Sequence, residues 1–158
     1  MKKFIPLLLL ILFVFIASGQ TSEQQSLETV LKNWLPNKPL ESFLSLFHIP
    51  YWGFNVSVEE RGYYAFVEFL IRKGTHFFYF GLISVAIHIA LSKRLKYRKL
   101  VAIFITFLLG AADEFHQSFT SGRSALFQDV LLDTSGAIFA MLVLTLVQRI
   151  KHRKNATP

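Results

Sequence analysis

Hydrophobic residues form four long runs along this chain, separated by shorter polar stretches. A helix needs about 20 mainly apolar residues to cross the hydrocarbon core of a bilayer. The last run meets that length, the second does so by extending back into Tyr63–Ile71, and the third by continuing past Asp113 to about Phe119. The pattern predicts an all-α, polytopic membrane protein with about four transmembrane helices. The runs are Phe4–Ser18, Thr75–Leu91, Leu100–Ala112 and Phe127–Val147.

Composition agrees with a membrane location. Of the 158 residues, 53% are hydrophobic and 17 are phenylalanine, which is more apolar than an ordinary soluble domain. Cysteine is absent, and this excludes disulfides, thiolate catalysis and zinc–thiolate sites. The net charge of +7 does not indicate a nucleic-acid partner, because the basic residues lie beside the apolar runs.

The positions of the basic residues predict the topology, because short loops rich in Lys and Arg stay in the cytoplasm. We therefore expect both termini in the cytoplasm, with residues 20–73 and 114–125 outside. The first run also fits a cleaved signal peptide, because Lys2-Lys3 precede an apolar stretch from Phe4 to Ile16 and the small residues Ala17-Ser18-Gly19 end it. Either origin gives the same sidedness downstream. The basic groups are Lys2 and Lys3, then Lys93, Arg94, Lys96, Arg98 and Lys99, then Arg149, Lys151, Arg153 and Lys154.

The chain divides into a first helix or signal-like anchor (residues 1–18), an extracytoplasmic segment (19–62) and a three-helix core with a basic tail (63–158). Within the segment, apolar positions predict a helix over Leu27–Leu35 with a Ser26 cap, ended by Pro36. A second apolar stripe contains Leu40, Phe43, Leu44 and Phe47 and stops at Pro50, before interfacial aromatics Tyr51, Trp52 and Phe54. We expect amphipathic helices lying on the outer leaflet; the alternative is a lid over a site.

Ionisable side chains are concentrated between the third and fourth runs and at the start of the second. At a rise of about 1.5 Å per residue, His76, Asp113 and Asp133 each lie about 20–22 Å from the cytoplasmic ends of their helices, and therefore at one level. Asp113, His116 and Gln117 share one helix face. Asp129, Asp133, Gly136 and Ala140 share another, and the two small residues predict close helix contact. The polar faces are expected to converge on a pocket that opens outward.

Two explanations of this cluster remain open. In the first, the residues pair only with one another and clamp helix ends together, for example Lys73 with Asp129 and Arg123 with Glu114. In the second, they form a functional pocket, which is the usual meaning of ionisable groups inside a membrane. We favour the second, because buried ionic networks do not reliably add stability. His88 lies alone near the cytoplasmic end and is interpreted as a packed or interfacial histidine.

Three motifs together resemble the signature of VanZ-like bacterial membrane proteins. They are Lys73-x-x-His76, Asp113-Glu114-x-x-Gln117-x-Phe119-x-x-Gly122-Arg123 and Asp129-x-x-x-Asp133-x-x-Gly136. The chain departs from that pattern mildly at Phe80, Ser121, Asp133 and Ala140, where Tyr, Pro, Asn and Gly are frequent. The resemblance implies a multi-pass protein of the bacterial plasma membrane, in a family whose named member is linked to resistance to teicoplanin.

The first functional hypothesis is a non-enzymatic envelope protein whose pocket binds an amphiphilic ligand, such as a lipid-linked cell-wall precursor or a lipoglycopeptide. Lys73 and Arg123 would bind a phosphate or carboxylate. The carboxylates of Asp113, Glu114 and Asp129 would bind amines or sugar hydroxyls. This hypothesis requires no cofactor or metal, and its partners are membrane lipids and the ligand.

The second hypothesis is an enzyme acting on an envelope substrate, with His76 or His116 as general base oriented by an aspartate, or with Asp113, Asp129 and Asp133 gathering a divalent cation. No His-Glu-x-x-His motif or nucleophile elbow supports it. A proton-coupled transporter is disfavoured, since no internal repeat is evident. The best candidates for the site are Lys73, His76, Asp113, Glu114, Gln117, Arg123 and Asp129, followed by Asp133 and His116.

Overall fold

The computed structural model describes residues 4–51, 53–123 and 125–156. The topology argument from Lys2 and Lys3 and the interfacial aromatic Trp52 lie outside these residues. The described part of the chain contains seven helices and one two-stranded antiparallel sheet. In chain order they are α1 (Ile5–Ser18), α2 (Glu28–Trp34), α3 (Glu41–Leu44), β1 (Ile49–Tyr51), β2 (Phe54–Val56), α4 (Val58–Arg61), α5 (Tyr63–Ala90), α6 (Arg98–Gln117) and α7 (Phe127–Ala156).

Helices α5, α6 and α7 pack into a three-helix bundle, and α1 lies against α5 and α6. The bundle core contains Phe80, Ile83, Ile87, Ala102 and Met141. The sequence prediction of continuous helices is confirmed at both places where an apolar run was too short. α5 runs without a break from the polar start of its span, and α6 continues past Asp113 to Gln117.

Two helices, α6 and α7, are long and apolar enough to cross a membrane. α1 is apolar but has only 14 residues, and α5 carries several charges, so the expected total of about four spans stays a prediction. Many large apolar side chains on α1, α6 and α7 are exposed, among them Leu8, Phe104 and Leu142. Exposed apolar surface of this extent is typical of helices that contact lipid.

The predicted close contact at the small residues of the fourth span is confirmed. A Cβ atom on Gly136 would overlap the backbone carbonyl of Phe77 in α5. On the facing helix, a Cβ atom on Gly81 would lie 3.1 Å from the carbonyl oxygen of Gly136 and 3.4 Å from the Cβ of Ala140. The backbones of α5 and α7 therefore touch at this point, and their contact sets how the polar residues nearer the other end face each other.

The segment before α5 differs from the sequence prediction in two ways. α2 is confirmed, but Leu27 occupies its N-cap position, while the Ser26 hydroxyl and the Leu27 N–H both donate to Glu68. The second stripe forms only the short α3, and β1 and β2 then make a hairpin that pairs Ile49 with Val56 and Tyr51 with Phe54. The all-α prediction is therefore wrong here. Alternating apolar residues around a turn at Gly53, which has a φ of +78°, favour the hairpin over a helix.

The other end of the bundle is basic. The Arg98 guanidinium donates to the carbonyls of His88 and Leu91 at 2.6 and 3.3 Å, which caps the C-terminus of α5. Lys99 donates to Thr145 and Gln148 of α7, so the basic link and the basic tail share one end. His88 is buried there, as the sequence predicts. The cytoplasmic placement of this end stays a prediction.

Candidate functional site

The polar residues of α5, α6 and α7 meet near the end of the bundle opposite the basic link. His76, Asp113 and Asp133 each offer one potential ligand atom, and these atoms lie within 4.8 Å of one another. This confirms the inference from helical rise that the three residues share one level. We call these three residues the inner cluster.

Within the inner cluster, Asp133 is completely buried. Nδ1 of His76 lies 3.4 Å from Oδ1 of Asp133, which is ion-pair distance, but neither carboxylate oxygen accepts a hydrogen bond from a described residue. Asp113 is held in place by Gln117, whose Nε2 donates to Oδ2 at 2.6 Å. The His76 ring stacks on Phe80 with 6.0 Å between the ring centroids. Asp113 and His76 are therefore held in place by neighbouring side chains, while the Asp133 carboxylate accepts no hydrogen bond from the described residues.

A second group lies one helical turn along α7, at Asp129. Its carboxylate accepts hydrogen bonds from the Lys73 ammonium and the Tyr51 hydroxyl, and Lys73 also lies 4.7 Å from the centre of the Tyr51 ring. Burial and the hydrogen bond to Asp129 raise the pKa of Tyr51 well above its usual value, so the phenol remains a donor. The expected pairing of Lys73 with Asp129 is confirmed, and the hairpin residue Tyr51 completes it. We call these three residues the outer triad.

Arg123 lies in the loop between α6 and α7 and is half-buried. Its guanidinium donates to Oε1 of Gln25 at 2.8 Å, and Arg72 reaches the same oxygen at 3.4 Å. Burial and the nearby Arg72 lower the pKa of Arg123 from its usual value, although an arginine in a protein keeps its charge. Among the described residues, no carboxylate lies at ion-pair distance from Arg123.

The expected pairing of Arg123 with Glu114 is therefore wrong. Glu114 is buried and accepts the Leu126 N–H at 2.9 Å, which fastens the loop just before α7. The Leu126 N–H reaches this carboxylate, while the Arg123 guanidinium donates to Gln25 instead.

His116 also points away from the inner cluster. Its ring stacks on Phe15 of α1 with 4.5 Å between ring centroids, and its Nδ1 lies 3.1 Å from the Ser18 hydroxyl. It lines neither of the two cavities described below. The structure thus places His76 beside an aspartate, while His116 joins α6 to α1.

Two cavities open beside these groups. The apolar cavity, of about 380 Å³, lies between α1, α5 and α6 and reaches His76 and Asp113. The polar cavity, of about 710 Å³, lies under the hairpin and reaches Lys73 and Asp129. Arg72, Gln117 and Arg123 line both. These three residues therefore lie at the boundary between the apolar cavity and the polar cavity.

A family model described as VanZ/LLP1 matches residues 3–148. The chain belongs to the VanZ/LLP1 family. No curated protein and no solved structure matches it. The match covers nearly the whole chain and all the candidate site residues, and it confirms the resemblance seen in the motifs. Together with two helices suited to crossing a bilayer, it identifies a membrane protein.

Sequence reasoning missed three residues of this VanZ/LLP1 site. Arg72 lines both cavities and pairs with Glu68, and its place beside Lys73 in a span could have marked it. Gln25 bridges the two arginines and also donates to the Ala17 carbonyl at 2.6 Å. Tyr51 looked like an interfacial aromatic. Neither Gln25 nor Tyr51 carried a sequence signal, since only the folded segment brings them to the bundle.

The candidate site of this VanZ/LLP1 protein combines two arginines, at the boundary of the two cavities, with an aspartate and a histidine that line the apolar cavity. Arg123 and Arg72 can bind phosphate or carboxylate groups at the boundary of the cavities. Asp113 and His76, at the floor of the apolar cavity, can accept or donate protons or bind a cation. The outer triad is closed on itself and offers less free binding capacity.

Proposed function

We propose that this VanZ/LLP1 protein binds an anionic amphiphile of the cell envelope, such as a lipid-linked wall precursor or a lipoglycopeptide, in an outward-facing polar pocket. Through this binding it contributes to teicoplanin-type glycopeptide resistance. The observation that carries the proposal is the position of Arg123. It is a half-buried cation without a carboxylate partner among the described residues, and it lies where the apolar and polar cavities meet.

The charge arrangement supports an anionic head group. Arg72 and Arg123 both donate to one neutral oxygen of Gln25, so two guanidinium groups lie close together. Glu68 neutralises the first, and nothing comparable neutralises the second within the described residues. A phosphate that accepts two hydrogen bonds from Arg123 would supply the missing charge and fit the planar guanidinium.

The apolar cavity supports a hydrocarbon tail. Its walls include Phe13, Val14, Leu27, Ile71 and Tyr79, which come from α1, α5 and the start of α2. Its volume of about 380 Å³ falls in the range of small-ligand pockets. A ligand whose head group is held at Arg123 would thus place the first part of its chain against these walls.

Direct binding to the full-length protein in lipid nanodiscs tests the proposal. A polyprenyl diphosphate is the probe, and the matching polyprenyl alcohol shares its tail without the charge. Loss of a charged hydrogen-bond donor costs about 1.5–3 kcal/mol, so Arg123→Ala should weaken diphosphate binding about 10- to 100-fold. The affinity of Arg123→Lys for the diphosphate should lie between those of wild type and Arg123→Ala, because lysine keeps the charge but cannot form the two parallel hydrogen bonds of a guanidinium.

The matched control is Arg94→Ala, which removes an exposed arginine at the basic end. It should bind the diphosphate as wild type does. Equal affinity for diphosphate and alcohol, or unchanged binding by Arg123→Ala, would overturn the proposed head-group site.

Resistance is tested separately in a glycopeptide-susceptible Gram-positive host. Wild type, Arg123→Ala, Asp113→Asn and Arg94→Ala are expressed at matched membrane levels, and susceptibility to teicoplanin and vancomycin is measured. We expect protection from wild type and Arg94→Ala only. If wild type gives no protection, the proposal of a resistance function is wrong. If the site variants protect as well as wild type does, the pocket is not required for resistance.

One observation favours a second candidate, a membrane-embedded hydrolase or transferase acting on a lipid-linked substrate. His76 lines the apolar cavity and its Nδ1 faces a carboxylate, as a general base held by an aspartate would. In that case His76→Gln should abolish product formation from a lipid-linked substrate while leaving probe binding intact. Loss of binding and turnover together would count against catalysis by His76.

A further inference from the structure

We propose that the inner cluster of His76, Asp113 and Asp133 binds one divalent transition-metal ion, of the Zn²⁺ or Mn²⁺ type. This inference does not rest on the proposed amphiphile binding. It concerns a cation held by α5, α6 and α7 together, whereas the first sequence hypothesis requires no metal and the second grouped Asp129 with the two other aspartates.

The geometry of the donors fits such an ion. One imidazole nitrogen and two carboxylate oxygens, each from a different helix, lie within 4.8 Å of one another. Zinc bonds to histidine nitrogen and carboxylate oxygen are about 2.0–2.2 Å long, so two ligand atoms in tetrahedral coordination are about 3.3–3.6 Å apart. A pair of donors at the 4.8 Å limit would have to close by about 1.5 Å to bind the ion, a movement that side-chain rotation can supply. Asp129 is not in this group, because the outer triad holds its carboxylate.

Asp133 provides an independent reason to expect a cation. It is completely buried, and both of its oxygens lack a hydrogen bond from any described residue. A buried carboxylate without hydrogen bonds carries a large desolvation cost, which a bound metal ion would offset. Gly110 on α6 packs beside Asp133, since a Cβ atom there would lie 3.4 Å from its Cβ and 3.5 Å from its Oδ2, in ordinary van der Waals contact.

Neighbouring side chains orient the other two donors, and His76 is the single cationic partner that the described residues offer the two carboxylates. Gln117 donates to one oxygen of Asp113, and Phe80 stacks on the His76 ring. Outer contacts of this kind orient metal ligands. Lys73, the cation next to His76 on the same face of α5, is paired with Asp129. Two aspartates and one histidine therefore face each other without a lysine or arginine at ion-pair distance among the described residues.

The donor types select the kind of metal. Imidazole suits zinc, iron, copper and nickel, carboxylate oxygen suits manganese, and Ca²⁺ and Mg²⁺ prefer sites made only of oxygen, so one imidazole with two carboxylates favours Zn²⁺ or Mn²⁺ over Ca²⁺ and Mg²⁺. Three protein ligands leave at least one coordination position for water or a ligand. His76 and Asp113 line the apolar cavity, so that open position would face the cavity.

Metal uptake by the purified full-length protein tests the inference. The protein is produced with a tag that contains no histidine, stripped with a chelator in detergent, and dialysed against Zn²⁺ or Mn²⁺ alone. Elemental analysis should find about one ion per chain in wild type. Asp133→Asn keeps the shape but loses the charge, and should weaken uptake at least about tenfold. Separate Zn²⁺ and Mn²⁺ titrations show which ion the site prefers.

The matched control changes the exposed pair His48 and Glu59, whose Nε2 and Oε2 lie 3.2 Å apart, to His48→Gln and Glu59→Gln. It removes the same donor types from the surface and should keep full uptake. His76→Gln is a second site variant in case Asp133→Asn does not fold, as judged by circular dichroism. Visible absorption of Co²⁺ bound to wild type needs no variant and should show a low-symmetry site.

Three results would overturn the inference. They are no saturable uptake of either ion by wild type, wild-type uptake by the folded site variants, and loss of uptake in the His48 and Glu59 control. Failure here would leave the binding of the polyprenyl diphosphate untouched, because that assay measures a head group at Arg123 with its own variants.

Discussion

Asp129 and Asp133 are the same residue type on the same face of α7, one helical turn apart, yet their surroundings differ completely. Asp129 accepts hydrogen bonds from Lys73 and Tyr51. Asp133 is more deeply buried and accepts none from the described residues. The first carboxylate joins α5, α7 and the hairpin, while the second makes no such connection, and the proposed metal site depends on that difference. A list of polar residues in a membrane protein therefore does not separate structural members from binding members.

The two arginines repeat this contrast at the boundary of the cavities. Arg72 pairs with Glu68 in the next turn of α5. Arg123 has only the neutral side chain of Gln25. Among the described residues, Arg123 has no carboxylate at ion-pair distance, and Asp133 faces only His76 and accepts no hydrogen bond. These two residues carry the two proposals.

The largest expected loss of stability comes from a substitution that forces α7 away from α5. Gly136 lies three residues after Asp133, and any side chain there meets the Phe77 carbonyl. Gly136→Val should destabilise the protein by about 3 kcal/mol or more, since the helices must separate. The measurement is thermal unfolding in detergent together with the yield of monodisperse protein. Gly74→Ala, at a helical glycine with nothing within 4 Å, should leave the protein as stable as wild type or stabilise it by up to about 1 kcal/mol, because alanine favours the helix. Equal melting of both variants would contradict the close contact.

The next effect is the loss of the cation from the outer triad. Lys73→Met leaves Asp129 buried with only Tyr51, and removing one partner of a buried pair costs about 3 kcal/mol. The double variant Lys73→Met with Asp129→Leu should recover most of this loss, because no charge remains. Equilibrium unfolding in a detergent titration measures both. If the double variant were less stable to unfolding than Lys73→Met, Asp129 would have a further stabilising partner.

A smaller loss is expected from Tyr51→Phe, which removes one donor to Asp129 and leaves Lys73 in place. A hydrogen bond to a charged group is worth about 1.5–3 kcal/mol, and we expect the lower value because the ammonium remains. Tyr97→Phe, at an exposed tyrosine, serves as the control in the same unfolding assay. If Tyr51→Phe were as stable as the control, the hydrogen bond from the hairpin to Asp129 would contribute nothing to stability.

The smallest effect is the most direct test of the comparison. In metal-free protein, Asp133→Asn should change the free energy of unfolding by less than about 1 kcal/mol, because the gain from removing a buried charge without hydrogen bonds offsets the loss of the 3.4 Å ion pair with His76. Asp129→Asn should be destabilising by contrast, since it disrupts a charged pair. Parallel unfolding curves with a chelator present decide the matter. A larger loss for Asp133→Asn would reverse the roles assigned to the two carboxylates.

Much of the bundle could be predicted from local pattern. The rise of a helix is constant, so His76, Asp113 and Asp133 could be placed at one level from their distances to the helix ends. Small residues four apart predicted the contact of α7 with α5. The partner of Arg123 and the direction of His116 could not be predicted, because spacing along one helix does not say which neighbouring element supplies the nearest donor or acceptor.

The sequence by itself determined the long apolar helices, the separation of a basic end from an acidic one, the family and the convergence of the charged residues. The helices, the separation of charge and the convergence follow from periodicity and composition, which are properties of each segment alone, whereas the family resemblance rests on three motifs of specific residues. Only the tertiary structure decided that residues 49–56 form a hairpin, that Tyr51 satisfies Asp129, and that Asp133 is left without a hydrogen bond. Those outcomes depend on contacts between residues up to 78 positions apart, and such contacts exist only after the helices have packed.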